Sequence, residues 1–213
     1  IELGVAGEAR VESIPLGVLA TYIDWSPFFW AWQLHGVYPT IFNKPEVGTE
    51  AKKLFADGNK MLEDIIAKQR FTAQAVAGFW PANSVGDDVE IYSDKTRAEQ
   101  LASFHFLRQQ RQKKDGQICR SLSDNAAPKD TGRIDYFGGF AVTMGQEVDD
   151  YAATFRDAGD DYTAIIVQSL GDRFAEASAE YLHKTLRHQC GIGQDEGFAA
   201  ETKLDEEQAK FLI

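Results

Sequence analysis

Apolar positions recur at helical spacing near both ends of the chain and at strand spacing in its middle. Between Thr49 and Gln69, the residues Ala51, Leu54, Phe55, Leu62, Ile65 and Ile66 fall mostly on one face of a 3.6-residue period, which predicts a helix. Gly58 and Asn59 weaken its centre. Upstream, Gly17 to Ile23 is apolar enough for a short helix. Ser26-Pro27 reads as an N-cap followed by a first-turn proline, opening a helix through Leu34. The chain turns helical again from Gln146. Asp160-Asp161 offers a cap and an acidic first turn for a long helix to about His188, with Ile166, Leu170, Phe174, Ala177 and Tyr181 as its apolar stripe. Gly191 to Ile213 is polar, with a short possible helix at Leu204–Leu212.

Strand signals fill the middle. Ala75-Val-Ala-Gly-Phe-Trp80 is a strand-like run that Pro81 should end, and Val85 to Tyr92 resumes as a strand after a polar turn. Within it Val89 and Ile91 alternate with Glu90 and Tyr92, the period of a half-buried strand. Leu101 to Phe106 is a third candidate and Asp135 to Thr143 a fourth. In the fourth, Gly138-Gly139 implies the close approach of another backbone or a ligand. Gln109 to Gly132 is polar and predicts mostly loop. Helices, then strands, then helices make an α+β fold with a mainly antiparallel sheet, and residues 1–213 read as a single domain.

Charge narrows the partners. Thirty-three acidic residues against 22 basic ones give a net charge of −11, which argues against nucleic-acid binding and against an anionic membrane surface. No stretch approaches the roughly 20 apolar residues of a membrane helix, and the N-terminus lacks the pattern of a secretory signal. Cys119 and Cys190 have neither a Cys-x-x-Cys partner nor a nearby histidine pair, and His183 and His188 are poorly spaced for a metal. The expectation is two free thiols in a reducing cytoplasm and no metal site. The missing initiator methionine suggests a piece of something longer.

Four places could carry chemistry. Asp24, among aromatics, either caps Ser26-Pro27 locally or awaits a cation. Asp172, Glu176 and Glu180 lie one helical turn apart; such a face is either merely solvated or, in a cleft, in need of a cationic ligand. Phe79 to Asp88 is a ligand wall or a tight connection between paired strands. Arg108, Arg111, Lys113 and Lys114 form the basic cluster of an acidic chain, either a solvated loop or a receiver of an acidic partner. Walker A, dinucleotide-glycine, His-Glu-x-x-His and Gly-x-Ser-x-Gly motifs are absent, and no catalytic acid, base or nucleophile is identified.

Several ordered blocks point further. Tyr22-Ile-Asp-Trp-Ser-Pro-Phe-Phe29 with Trp32-Gln-Leu-His-Gly-Val-Tyr-Pro39 resembles the C-terminal activation domain of cobalamin-dependent methionine synthase. The resemblance continues through Val76 to Tyr92, Leu107-Arg-Gln-Gln110, Ser121-Leu-Ser-Asp124 with Ala127-Pro128, Phe137 to Thr143, Asp160-Asp-Tyr162 and Leu170 to His183. It covers about residues 14 to 188, leaving 191–213 without a clear match.

The resemblance implies an α/β domain around a bent antiparallel sheet flanked by helices. It implies binding of S-adenosylmethionine and its presentation to a cobalamin held by a neighbouring domain. An electron from flavodoxin or a flavoprotein reductase, followed by methyl transfer, then restores methylcobalamin from cob(II)alamin. On this resemblance Asp24 receives the ligand's ammonium group and Glu176 is a second carboxylate of the ligand site. Asp172, on the same helix face, is a further candidate for contact with the cobalamin domain, and the charge of the basic cluster makes it a candidate docking patch for an acidic flavoprotein. The family's Arg-x-x-x-Gly-Tyr-Pro motif does not occur before Ile213, so an incomplete activation-domain fold is expected. Asn125 and Lys184-Thr185 also depart from the family pattern. The alternative is a docking module that keeps the fold without the ligand.

Overall fold

The structure is a computed structural model that describes residues 7–114 and 116–191, with side chains described for all of these except 7–12 and 189. Five strands and five α-helices appear: β1 Gly7–Ile14, α1 Leu16–Leu19, α2 Ser26–Trp30, α3 Gly48–Lys68, β2 Ala73–Val85, β3 Asp88–Tyr92, β4 Gln100–His105, β5 Asp135–Thr143, α4 Glu147–Asp157 and α5 Asp161–Gln189. The α+β expectation holds. The strands form one open sheet in the order β1-β2-β3-β4, with β5 also on β2. The β2–β3 and β3–β4 pairs are antiparallel. The possible helix at Leu204–Leu212 lies outside the described residues. Strand β1 carries no signal that the sequence reading picked up.

Two compact units divide the described chain: residues 76–140 with 7–10, and residues 11–75 with 141–191. In the first, β2 runs through Pro81 rather than stopping there. A proline interrupts a ladder only where its missing N–H is needed, and the ladder to β3 starts one residue later, at Ala82↔Ile91. The strand ends at Val85, whose partner Asp88 opens β3. Gly86 and Asp87 make a two-residue turn, and Gly86 sits at φ 64°, where a glycine at the first central position suits a hairpin. Ala82, Val89 and Ile91 form the buried centre of this unit, with Trp80, Phe106 and Phe137 packed against it.

Two further readings of this unit are settled. Gly138 is required by the ring of Phe79, which a Cβ there would meet at 2.7 Å. An aromatic side chain, rather than a second backbone or a ligand, therefore makes the close approach. Asn83 is fully buried and satisfied: its Nδ2 donates to the Ala127 and Arg133 carbonyls at 2.9 and 2.8 Å, and its Oδ1 accepts from Arg97 at 2.8 Å. The segment Phe79–Asp88 thus carries the end of β2 and its turn into β3, tied through Asn83 to Arg97, Ala127 and Arg133.

The second unit is helical. Asp160 caps α5 by accepting from the Thr163 N–H at 3.0 Å, as its sequence signal predicts. Ile166, Val167, Leu170, Phe174, Ala177 and Leu182 are buried along α5, which packs against α1, α2, α3 and α4. The helix α2 is shorter than expected, ending at Trp30, and Ser26 is not its cap: Trp25 holds that position. Ser26 lies inside the helix, with its hydroxyl accepting from the Tyr38 N–H at 3.1 Å. The chain leaves the helix through Gln33 in the left-handed region, φ 59°.

An aromatic cluster joins α2 to α3. Trp25 meets Phe28 and Phe55 edge-on at 5.2 and 4.8 Å, and Phe28 and Phe29 are fully buried. Gly58 accommodates this cluster. A Cβ there would lie 2.8 Å from the Phe28 ring and 3.4 Å from Trp25. Alanine would favour the helix by about 1 kcal/mol on propensity, but overpacking a fixed ring costs about 1–3 kcal/mol. Gly58→Ala is therefore expected to lower the urea midpoint at equilibrium. A midpoint equal to or above that of the parent chain would show that the ring gives way.

Candidate functional site

The site is built in the helical unit, around the segment that holds Asp24. Trp25 and Ser26 are buried and Asp24 is exposed, so burial of the residues that follow fixes the backbone from which the carboxylate projects. Its Oδ1 accepts from the Ser26 N–H at 2.9 Å. An aspartate two residues ahead of a helical N–H commonly makes this turn. Both readings of Asp24 therefore remain compatible, because one oxygen serves the local turn and Oδ2 makes no hydrogen bond among the described residues.

The long helix α5 brings its acidic face to this segment. Glu180 lies within the electrostatic field of both Asp24 and Glu176. Burial first, then the charge of Glu176 and, more weakly, that of Asp24, raise the Glu180 carboxyl above its ordinary value, while Lys184 draws it partly back. Glu180 also bears on Tyr22, whose hydroxyl is raised by burial, by Tyr181 and by Glu180. Tyr22 and Tyr181 meet edge-on at 5.6 Å, and the Lys184 Nζ stands 5.6 Å from the centre of the Tyr22 ring, within cation–π range. Glu180 thus feels two charges of its own sign and acts on the Tyr22 ring. Like charges so placed are held more comfortably when a cation arrives.

The predicted residues separate on this geometry. Asp24 and Glu176 both bear on Glu180, so they share one neighbourhood. Glu176 is paired with Arg173 one turn back, the arginine being mostly buried and the glutamate 57% exposed. Asp172 is exposed, with no hydrogen bond or ion pair among the described residues. The sequence reading noticed Glu180 on the acidic edge without assigning it a role, and it gave no site role to Tyr22, Tyr181 or Lys184. The spacing Glu176–Glu180–Lys184 was visible; the ring of Tyr22, far away in sequence, was not.

The basic cluster lies in the other unit, and Arg108 is turned inward upon it. Its guanidinium donates to Asp87 at 2.6 and 3.0 Å, to both oxygens of Asp124 at 2.8 Å, and to the Cys119 carbonyl at 2.7 Å. Asp124 in turn accepts from the Ser121 N–H at 2.9 Å, closing a capping box on a short turn at Leu122–Asn125. Arg108 thus ties the loop 107–124 to the β2–β3 turn. Arg111 and Lys114 are exposed and Lys113 half-exposed. Cys119 and Cys190 are free thiols, and among the described residues no His, Cys, Asp and Glu group could hold a metal ion. No described helix is long and apolar enough to cross a membrane.

Residues 15–209 match the family model of the vitamin B12 dependent methionine synthase activation domain. The chain is also similar to a solved structure, the crystal structure of the MetH reactivation domain bound to AdoHcy, at 46% sequence identity and a TM-score of 0.79. The similarity covers 87% of this chain and 56% of that one, so this chain spans little more than half of the solved domain's length.

The Arg108 node has a pH signature. Hydrogen bonds from Arg108, and then from the Ser121 N–H, hold the Asp124 carboxyl at about 2, below its ordinary 3.8. A carboxyl depressed in the folded state stabilises it fully above the ordinary value and loses that contribution as pH falls toward about 2. Arg108→Gln removes the larger cause. The difference in urea midpoint between parent and Arg108→Gln should be greatest above about pH 4 and shrink as pH falls through this window. A difference constant with pH would show that the ion pairs add nothing.

Proposed function

Since the chain belongs to the family of vitamin B12-dependent methionine synthase activation domains, we propose that it binds S-adenosylmethionine at the carboxylates around Asp24 and presents its methyl group for reactivation of the enzyme's cobalamin. The observation that carries this reading is the packing of the segment just before Asp24 on the acidic face of α5, where Tyr22 meets Tyr181 edge-on at 5.6 Å and Asp24 acts on Glu180. S-Adenosylmethionine carries an ammonium and a sulfonium, and such cations are best held by carboxylates in a partly desolvated place. Asp24, Glu176 and Glu180 are exposed carboxylates that such a ligand would itself cover. The similar solved domain holds AdoHcy, the same molecule without the transferable methyl group.

The geometry supports the following roles. The Asp24 oxygen not engaged by Ser26 receives the ammonium group. Glu176 stands one helical turn from Glu180 and offers a second carboxylate, releasing Arg173 in part as the ligand arrives. None of these side chains moves a proton in the reaction; they position the donor. Cobalamin, held by a neighbouring domain and not by these residues, would supply the cobalt that accepts the methyl group, with the demethylated thioether as the leaving group. Asp172, exposed on the same helix, faces that domain. Flavodoxin or a flavoprotein reductase delivers the electron, docking on Arg111, Lys113 and Lys114, while Arg108 holds their loop. A single family model over 15–209 supports reading both units as one activation-type domain, and two free thiols suit a reducing cytoplasm.

Calorimetric titration with S-adenosylmethionine tests the site. Asp24→Asn keeps an oxygen for the Ser26 N–H and removes only the charge, so it separates the turn from the ligand contact. A charge-assisted hydrogen bond contributes about 1.5–3 kcal/mol, so affinity should weaken by about tenfold or more. Unchanged affinity in Asp24→Asn would remove Asp24 from the site. A folded parent chain with no affinity would overturn the proposal in favour of a docking module that holds no ligand.

A further inference from the structure

Lys184 occupies an unusual place in the acidic neighbourhood. It follows Glu180 by one turn of α5, and its Nζ stands 5.6 Å from the centre of the Tyr22 ring. Tyr22 itself lies two residues before Asp24 and in the field of Glu180. The lysine is half-buried, and its charge acts on Glu180 against the charges of Glu176 and Asp24. A cation on an aromatic face, beside converging carboxylates, has the chemistry expected of a bound ligand's positive end.

We propose that Lys184 is an internal competitor for the ligand's cationic end: its ammonium occupies the Tyr22 face and the field of Glu180, and it sets the affinity of the site for a doubly cationic donor. The inference rests on the reading of this site as one for S-adenosylmethionine. Glu180 lies one helical turn from the lysine and feels its charge, Glu176 and Asp24 act on Glu180 in turn, and Tyr22 and Tyr181 meet edge-on beside it. Arg173 is paired with Glu176, and Lys184 is a cation whose charge acts on Glu180. When the ligand enters, its sulfonium and ammonium meet a field that Lys184 has partly cancelled, and the lysine must swing outward or be tolerated as a like charge.

This competition discriminates between ligands. S-Adenosylmethionine carries one more positive charge than S-adenosylhomocysteine, whose sulfur is a neutral thioether. Neutralising the lysine therefore favours the methyl donor over its demethylated product.

The test titrates the full chain and its Lys184→Gln, Lys184→Arg and Asp24→Asn variants with both ligands, after circular dichroism has verified folding. Lys184→Gln should bind S-adenosylmethionine about three- to tenfold more tightly at low salt, as expected for a unit charge removed at several ångströms in a partly screened site. It should bind S-adenosylhomocysteine with a smaller gain. Lys184→Arg, which keeps the charge, should track the parent. The gain should shrink at about 1 M salt, where screening reaches about 3 Å. Equal affinity in Lys184→Gln and the parent, with Asp24→Asn still weakened, would overturn the role of Lys184 and leave the site standing. An equal gain for both ligands would overturn charge competition in favour of a steric effect. No binding by any folded variant would overturn this inference together with the reading on which it rests.

Discussion

The packing of the Phe28 ring against the backbone of Gly58 is the contact on which the helical unit depends. A glycine in mid-helix weakens α3 by itself, yet it lets α2 lie so close that Trp25, Phe28 and Phe29 are buried at once. Their burial removes the freedom of the segment immediately before them. Asp24 thus projects from a backbone whose next residues are locked, and its own hydrogen bond to Ser26 completes that lock. Cheap local geometry cannot do this alone: an isolated Asx turn is worth little, whereas three aromatic side chains each bury an area that contributes several kcal/mol.

The opposite wall of the site is set by a different rule. The long helix α5 has a continuous buried stripe, and its polar residues must then fall on the remaining arc. Glu176 and Glu180 are on that arc, and the packing of α5 against α1 and α2 brings Glu180 into the field of Asp24. Gathering carboxylates in this way disfavours the folded state unless cations compensate. Arg173 and Lys184 are such cations within the chain itself. Charges of opposite sign within the chain thus offset part of that cost, and any cation that binds these carboxylates does so against them.

The sequence conveyed the elements that rest on local chemistry. The α3 and α5 boundaries, the Asp160 cap, the alternation of Val89 and Ile91 and the whole of β5 were legible because each is written in the residues that form it. What failed was governed by distant partners. Pro81 looked like a strand end, yet the ladder to β3 begins just after it. Ser26 looked like a cap, but its N–H donates to Asp24 and its hydroxyl oxygen accepts from the Tyr38 N–H, 12 positions away. The Gly138-Gly139 pair announced a close approach without saying that an aromatic ring makes it. For the site, the resemblance supplied Asp24 and Glu176, and spacing alone supplied Glu180. Tyr22 and Lys184 became partners only when α5 was folded against the segment before α2.

The basic loop shows why a cluster in sequence need not act as one in space. Arg108 presents a planar fork that suits two carboxylates and a carbonyl at once, and here it meets Asp87, Asp124 and Cys119. A lysine in its place could neutralise one acid but could not bridge three groups in fixed directions. The neighbouring Arg111, Lys113 and Lys114 have no such network and keep their charge toward solvent. Four positive residues in seven positions thus divide into one that orders the loop and three that the loop displays. An acidic partner would meet a surface whose shape is already fixed by Arg108. Less of its binding free energy would then be spent on ordering the loop, and the three displayed charges could act through long-range attraction.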